Sequence, residues 1–341
     1  MRFATFEHVP WPSGADHATV LRRATQQVQL AEELGFHGAW IAEHHFSRYG
    51  LASASLLLMT HLAAHTSRIR LGTGITIASI RNPILVAEEA AMLDVLSGGR
   101  LDFGVGSGGV PELRGFGIPR EESRGRLAEV VEIVLGLWSN PVYSYDGAFF
   151  QLENVSVAPT PIQKPHPPLY AAVRTPSSVE FAAEHNMHYM TGVTGDTEQN
   201  IRHQEGYVAM MSQRGKPVDS ADLPFFRYVY VAESDEQARQ DTEAPMMWVW
   251  DCLDWQVSEG QRTGLGLDEW LRSPRTRSAT YEEVYDKIAF FGTADKVLRQ
   301  LTELRDRGIQ YFGGSFAFGG LDHNKVTRSM KMFAKDVMPY L

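Results

Sequence analysis

The sequence predicts an α/β fold, a single (β/α)8 TIM barrel over residues 1–341 with two insertions, and three observations predict it. A unit of amphipathic helix, Gly or polar stop and short apolar strand recurs along the chain. Eight strand candidates can be read, the number that closes a barrel. The Gly-rich turn of a doubly wound dinucleotide sheet is missing after the first strand.

The first strand candidate covers 2–6. Val20, Ala24, Val28, Ala31 and Leu34 then recur at helical spacing, Gly35 supplies the stop, and a strand follows over 38–42. A helix over 55–64 precedes the strand 69–72. A third helix over 84–96 closes on Ser97, Gly98 and Gly99 before the strand 101–105. Later strands are read at 168–172, 188–192, 225–232 and 310–317. Each parallel return needs a crossover, so strands alternating with helices imply parallel pairing. The run Gly106-Ser107-Gly108-Gly109 follows a strand but lacks dinucleotide spacing.

Two stretches are too long for simple connections. Residues 139–167, with Pro141, Pro159, Pro161, Pro165 and Pro167, read as an ordered excursion of turns that can include a hairpin. Residues 251–280 are polar, carry Gly260, Gly264 and Gly266, and read as a long loop. No composition shift marks a second domain.

Hydrophobic residues make up 43% and charged residues 21%, ordinary for a globular protein with a sizeable core. The net charge of −9 argues against nucleic acid and against anionic membranes, both of which need a positive stripe. Cys252 is the one cysteine, which excludes an intramolecular disulfide and a multi-cysteine metal site. The start lacks a signal-peptide core and no apolar run is long enough to span a bilayer. A cytoplasmic enzyme is expected.

Barrel active sites form at the C-terminal ends of the strands. After the second strand stands Glu43-His44-His45-Phe46. Adjacent histidines cannot both point the same way, so one turns to the barrel mouth, either for proton transfer near neutral pH or as an imidazole hydrogen-bonded into the rim. After the third comes Thr73-Gly74-Ile75-Thr76, whose Gly permits either close approach of a planar ligand or a strand bulge. After the fifth comes Arg174-Thr175-Pro176-Ser177-Ser178: Thr175 can cap a helix with Pro176 at its first position. The exposed amides and Arg174 then favour a phosphate. Arg124, at the start of a helix over 122–138, either adds a second positive charge or is a solvated surface residue.

At these residues the chain resembles the bacterial luciferase-like flavin monooxygenases, most of all the luciferase alpha subunit, nearly end to end. The most specific pieces are Glu43-His44-His45-Phe46 with Tyr49-Gly50-Leu51, Leu93-Asp94 with Ser97-Gly98-Gly99-Arg100, and Ser329-Met330-Lys331-Met332-Phe333 with the closing Asp336–Leu341 segment. The resemblance implies a barrel that binds FMN, delivered as FMNH2 by a separate NAD(P)H-dependent flavin reductase, with O2 as co-substrate. It implies that His44 handles proton transfers and that Gly74–Ile75 is a non-prolyl cis peptide beside the flavin ring. Ala42 and Gly106 would lie along the cofactor, and Arg124, Thr175 and Ser178 fall on phosphate-binding positions. Residues 251–280 match the family's mobile lid, which keeps water out.

Three departures stand out. Gly106 replaces a cysteine near the flavin, which is expected to open space over the ring. Ser107 replaces a phosphate-contacting arginine. Arg174 replaces an acidic residue at the same corner and is expected to restore the lost charge. The function expected is an FMNH2- and O2-dependent monooxygenase, the oxygenase component of a two-component system. It would hydroxylate or epoxidise an organic substrate, a secondary metabolite such as a polyketide, as in antibiotic biosynthesis. A long-chain aldehyde monooxygenase, a deazaflavin-dependent oxidoreductase and a non-catalytic partner like the luciferase beta subunit are the alternatives. A homodimer is expected, through the helices after strands two and three.

Overall fold

Apolar strands buried on both faces need cover inside and out, and the chain supplies it by coiling its strands into a ring within a layer of helices. The computed structural model describes every residue except 13, 174, 259–265, 274 and 275. The strands are β1 (Arg2–Glu7), β2 (Gly38–Ile41), β3 (Arg70–Thr73), β4 (Thr76–Ile77), β5 (Leu101–Gly106), β6 (Tyr143–Asp146), β7 (Gln151–Val155), β8 (Leu169–Val173), β9 (His188–Thr191), β10 (Pro224–Val231), β11 (Phe290–Gly292) and β12 (Tyr311–Ser315). Hydrogen-bonded neighbours run β11-β10-β12-β1-β2-β3-β5-β8-β9, all parallel, with β4 beside β5.

Eight of these form the barrel, at the positions read from the sequence. The ring closes between β9 and β10 through side-chain bonds: Phe226 N–H donates to Thr191 Oγ1 at 2.6 Å, and the buried Arg227 donates to Gly192 O at 3.2 Å. β10 forks, its first half pairing with β12 and its second with β11. The three-residue β11 was not read from the sequence, being too short for any periodicity to show. Within 139–167, β6 and β7 pair as an antiparallel hairpin.

The helices are α1 (His17–Glu33), α2 (Ser55–His65), α3 (Pro83–Ser97), α4 (Val110–Gly115), α5 (Ser123–Ser139), α6 (Pro176–Glu184), α7 (Thr197–Gln213), α8 (Asp235–Val257), α9 (Leu267–Trp270), α10 (Tyr281–Lys287), α11 (Ala294–Asp306) and α12 (His323–Asp336). Their starts follow the capping chemistry of the sequence: the Asp16, Asn82 and Ser234 side chains accept from the first-turn amides of α1, α3 and α8. Gly98, at φ 69°, ends α3 in the left-handed region.

One expectation needs correcting. The stretch 251–280 is not loop from its start, because α8 runs on to Val257. Its buried face, Met246, Val249 and Trp250, continues through Cys252, so packing prolongs the helix past the polar residues that suggested a loop. Residues 259–265, 274 and 275 of that stretch lie outside the described residues.

The lower bore of the barrel is filled with rings. Trp40 Nε1 donates to Tyr311 OH at 3.0 Å, and Tyr170 and Phe226 meet the indole edge-on at 4.9 and 5.6 Å between centroids. Such bulk fits because glycine faces it: a Cβ at Gly72 would strike the Trp40 ring, and one at Gly313 the Phe226 ring. Among the described residues no helix is long and apolar enough to cross a membrane.

Candidate active site

The loop after β2 decides which histidine reaches the mouth. Ala42 ends the strand, buried, with its N–H donating to Glu7 O at 3.0 Å. The Glu43 side chain is buried and takes Ser55 Oγ at 2.6 Å, Ser55 N–H at 3.2 Å, Ile77 N–H at 3.3 Å and Arg81 Nη2 at 3.1 Å, with His45 Nε2 at 3.3 Å. Burial pushes this carboxyl up, but His45, Arg81 and Ser55 outweigh it and hold it below the usual range. Glu43 and His45 therefore bolt the loop to the rim. His44 is left for the mouth, its side chain 24% exposed.

Behind His44 stand groups that the sequence reading missed. Its Nδ1 lies 3.7 Å from Glu112 Oε1, on the first turn of α4. Burial raises the Glu112 carboxyl, but the facing imidazole together with the backbone amides of Glu112 and His45 more than offsets this and the net shift is downward. A carboxylate at Nδ1 favours the tautomer with the proton there and leaves Nε2 as the acceptor for a reacting group. The His8 ring stacks on His44 at 6.1 Å and 13°. Burial, then the charge of His44, holds His8 well below its ordinary value, so it is neutral. Tyr49 touches both rings, at 4.8 and 4.7 Å, and its hydroxyl lies 3.0 Å from that of Tyr228. Reading one residue past the first strand would have found His8. Glu112 left no local signal.

The neighbouring strand ends form the next wall. The Gly74–Ile75 peptide is cis. Thr73 Oγ1 donates to Gly104 O at 2.7 Å and accepts from Gly104 N–H at 2.9 Å, fixing β3 against β5 there. The expectation that Gly106 opens space is corrected: a Cβ at Gly106 would run into Ile75 Cδ1, so the Ile75 side chain already takes that room. The Ser107 carbonyl accepts from Ser79 Oγ at 2.9 Å.

The corner expected to take a phosphate assembles from two helix starts. Thr175 and Ser178 form a reciprocal capping box on α6, with Thr175 N–H to Ser178 Oγ at 2.9 Å and Ser178 N–H to Thr175 Oγ1 at 3.3 Å. Arg124, exposed on the first turn of α5, donates to Ser177 Oγ at 3.0 Å. Arg124 and this hydroxyl cluster therefore sit together. Arg174 lies outside the described residues. A guanidinium, three hydroxyls and a helix N-terminus are a donor set that fits a phosphate monoester.

A model of the family described as luciferase-like monooxygenase matches residues 1–311. The chain belongs to that family. The chain is similar to the oxygenase component of the flavin-dependent trigonelline monooxygenase of Acinetobacter baylyi, 31% identical with 99% of this chain and 95% of that one covered. The 4-hydroxyprotoasukamycin monooxygenase of Streptomyces nodosus is 29% identical, with 99% and 91% covered. The crystal structure of a monooxygenase from Streptomyces bottropensis superposes with a TM-score of 0.86 at 27% identity, over 100% of this chain and 99% of that one. As a luciferase-like monooxygenase, the chain is an oxygenase enzyme built on the TIM barrel.

Proposed function

We propose that the chain is the oxygenase component of a two-component system, acting on an organic substrate with O2 and reduced FMN supplied by a separate NAD(P)H-dependent flavin reductase. The observation that carries this reading is the His44–Glu112 pair at the mouth, on the same rim as the Arg124, Thr175 and Ser178 donor set. Arg124, Thr175 and Ser178 would hold the FMN phosphate, Arg174 adding its charge, and Ala42, Gly74, Ile75, Gly106 and Ser107 would line the remainder of the cofactor. Bound reduced flavin supplies two electrons to O2, so that one oxygen atom enters the substrate and the other leaves as water. His44 accepts and returns protons through Nε2 while Glu112 steadies the charge that gathers on its ring. Ile75 and the α8 end exclude water.

The substrate class we infer is a secondary metabolite, such as a polyketide, that is hydroxylated or epoxidised. Since Ile75 fills the room at Gly106, support for this choice comes from the relatives named for trigonelline and 4-hydroxyprotoasukamycin rather than from a widened pocket. A homodimer through α2 and α3 is part of the reading, supported by the exposed Leu57, Leu85, Met92 and Leu96 on those helices. The test is incubation with reduced FMN, a flavin reductase and labelled O2. One labelled oxygen per product is expected. Turnover with a reduced deazaflavin and no incorporation of oxygen would overturn the proposal.

A further inference from the structure

The loop that carries His44 is gripped at its far end from outside the barrel. Ser47 Oγ accepts from Gln256 Nε2 at 2.6 Å and from Tyr49 N–H at 3.0 Å. The Arg48 guanidinium pairs with Asp268 at 3.0 Å and lies over the Trp11 ring at 5.1 Å. Gln256 belongs to the last turn of α8 and Asp268 to α9, so both partners come from helices packed against the loop at the mouth. The stretch they belong to is also tied together: Arg277 binds Asp251 at 2.8 and 3.1 Å, and Ser278 N–H donates to Asp254 at 2.9 Å.

The inner end of the same loop has little slack. Tyr49 rests on the His44 ring, and a Cβ at Gly50 would lie 2.6 Å from His8 O and 3.0 Å from His44 Cδ2. The backbone is pinned on both sides, His44 N–H to Ala52 O at 3.0 Å and Leu51 N–H to Val9 O at 2.8 Å. A pull at Ser47 or Arg48 therefore cannot be absorbed before it reaches the imidazole. The Arg48–Asp268 pair is partly solvated, so it contributes little to global stability and can form and break at modest cost.

We propose that Arg48 and Gln256 are positioning residues that make seating of the α8–α9 cover and orientation of His44 one event. The inference rests on the reading of His44 as the proton-handling group. Its consequence is that a correctly aimed imidazole exists only when the mouth is covered, so proton transfer is timed to the exclusion of water.

Hydrogen exchange on the cofactor-free protein tests the coupling directly. In Arg48→Ala and Gln256→Ala the amides of residues 44–52 and of 251–258 are expected to exchange at least tenfold faster together, while those of β2 keep their protection. Asp268→Asn probes the same link from the other side, should Arg48→Ala fold poorly. Loosening of the cover with 44–52 still protected at wild-type rates would overturn the proposal. With reduced FMN and substrate, Arg48→Ala is expected to release severalfold more of its oxygen as hydrogen peroxide, and Arg48→Lys to recover part of the loss; unchanged partitioning in Arg48→Ala overturns it as well. Should the wild type take up no oxygen with reduced FMN, the functional reading fails, and the exchange result still decides the coupling.

Discussion

In the lower bore, Trp40, Tyr170, Phe226 and Tyr311 lock ring against ring, sealed by the Arg70–Asp102 pair, whose Nε lies 3.1 and 2.9 Å from the two carboxylate oxygens. At the mouth, His44 faces Glu112 across 3.7 Å, and the cover is held to its loop by Gln256–Ser47 and Arg48–Asp268. One end is close-packed and serves stability; the other is polar and partly open, the end at which barrel enzymes carry their active sites. Substitutions at the two ends should therefore separate cleanly into losses of folding and losses of turnover.

The largest contrast is expected between Trp40→Ala and His44→Ala. Trp40→Ala leaves a void in the bore and should cost about 3–5 kcal/mol of stability, read as a lower denaturant midpoint. His44→Ala should leave that midpoint nearly unchanged but lower product formation by roughly 100- to 10,000-fold. A His44→Ala protein with wild-type turnover would remove the mouth from the mechanism. Glu112→Gln comes next: with the tautomer less firmly set, turnover should fall about tenfold, with the acid limb of its pH profile displaced, and Glu112→Asp should recover part of it. Arg124→Ala should weaken reduced or oxidised FMN binding about 5- to 30-fold, measured by fluorescence quenching, by removing one charge-assisted contact.

A pH-dependent effect is expected from the wall between the two ends. Glu7 is buried on β1, both carboxylate oxygens without a hydrogen-bond partner among the described residues, and burial pushes its pKa from 4.5 up to about 8. The folded chain keeps a proton that the unfolded chain releases above 4.5, so stability should fall as pH climbs from 4.5 to about 8 and level off beyond. Glu7→Gln should flatten that slope, seen by comparing denaturant midpoints at pH 5 and pH 8.

Eight strands and their parallel order were legible because helix faces at 3.6-residue spacing and Gly stops such as Gly35 and Gly98 are local signals. The Pro-rich stretch 139–167 also announced its hairpin β6–β7, but the short β11 was not legible, since it spans three residues. The end of α8 was misread because Asp251 and Asp254 look solvated in sequence, whereas the fold hands them Arg277 and Ser278 N–H. At the site, the Glu-His-His run was visible, but not that Glu43 would claim His45 and leave His44 free.

The sequence alone determined where the strands end, hence which short loops meet at the mouth, because backbone propensities and caps act over a few residues. Only the tertiary structure decided that Glu112 faces His44, that His8 stacks beneath it, that Ile75 fills the room at Gly106 and that Arg48 reaches Asp268. Each of these joins segments far apart in the chain, and their meeting depends on side-chain volume and packing around a closed ring, which no local pattern encodes.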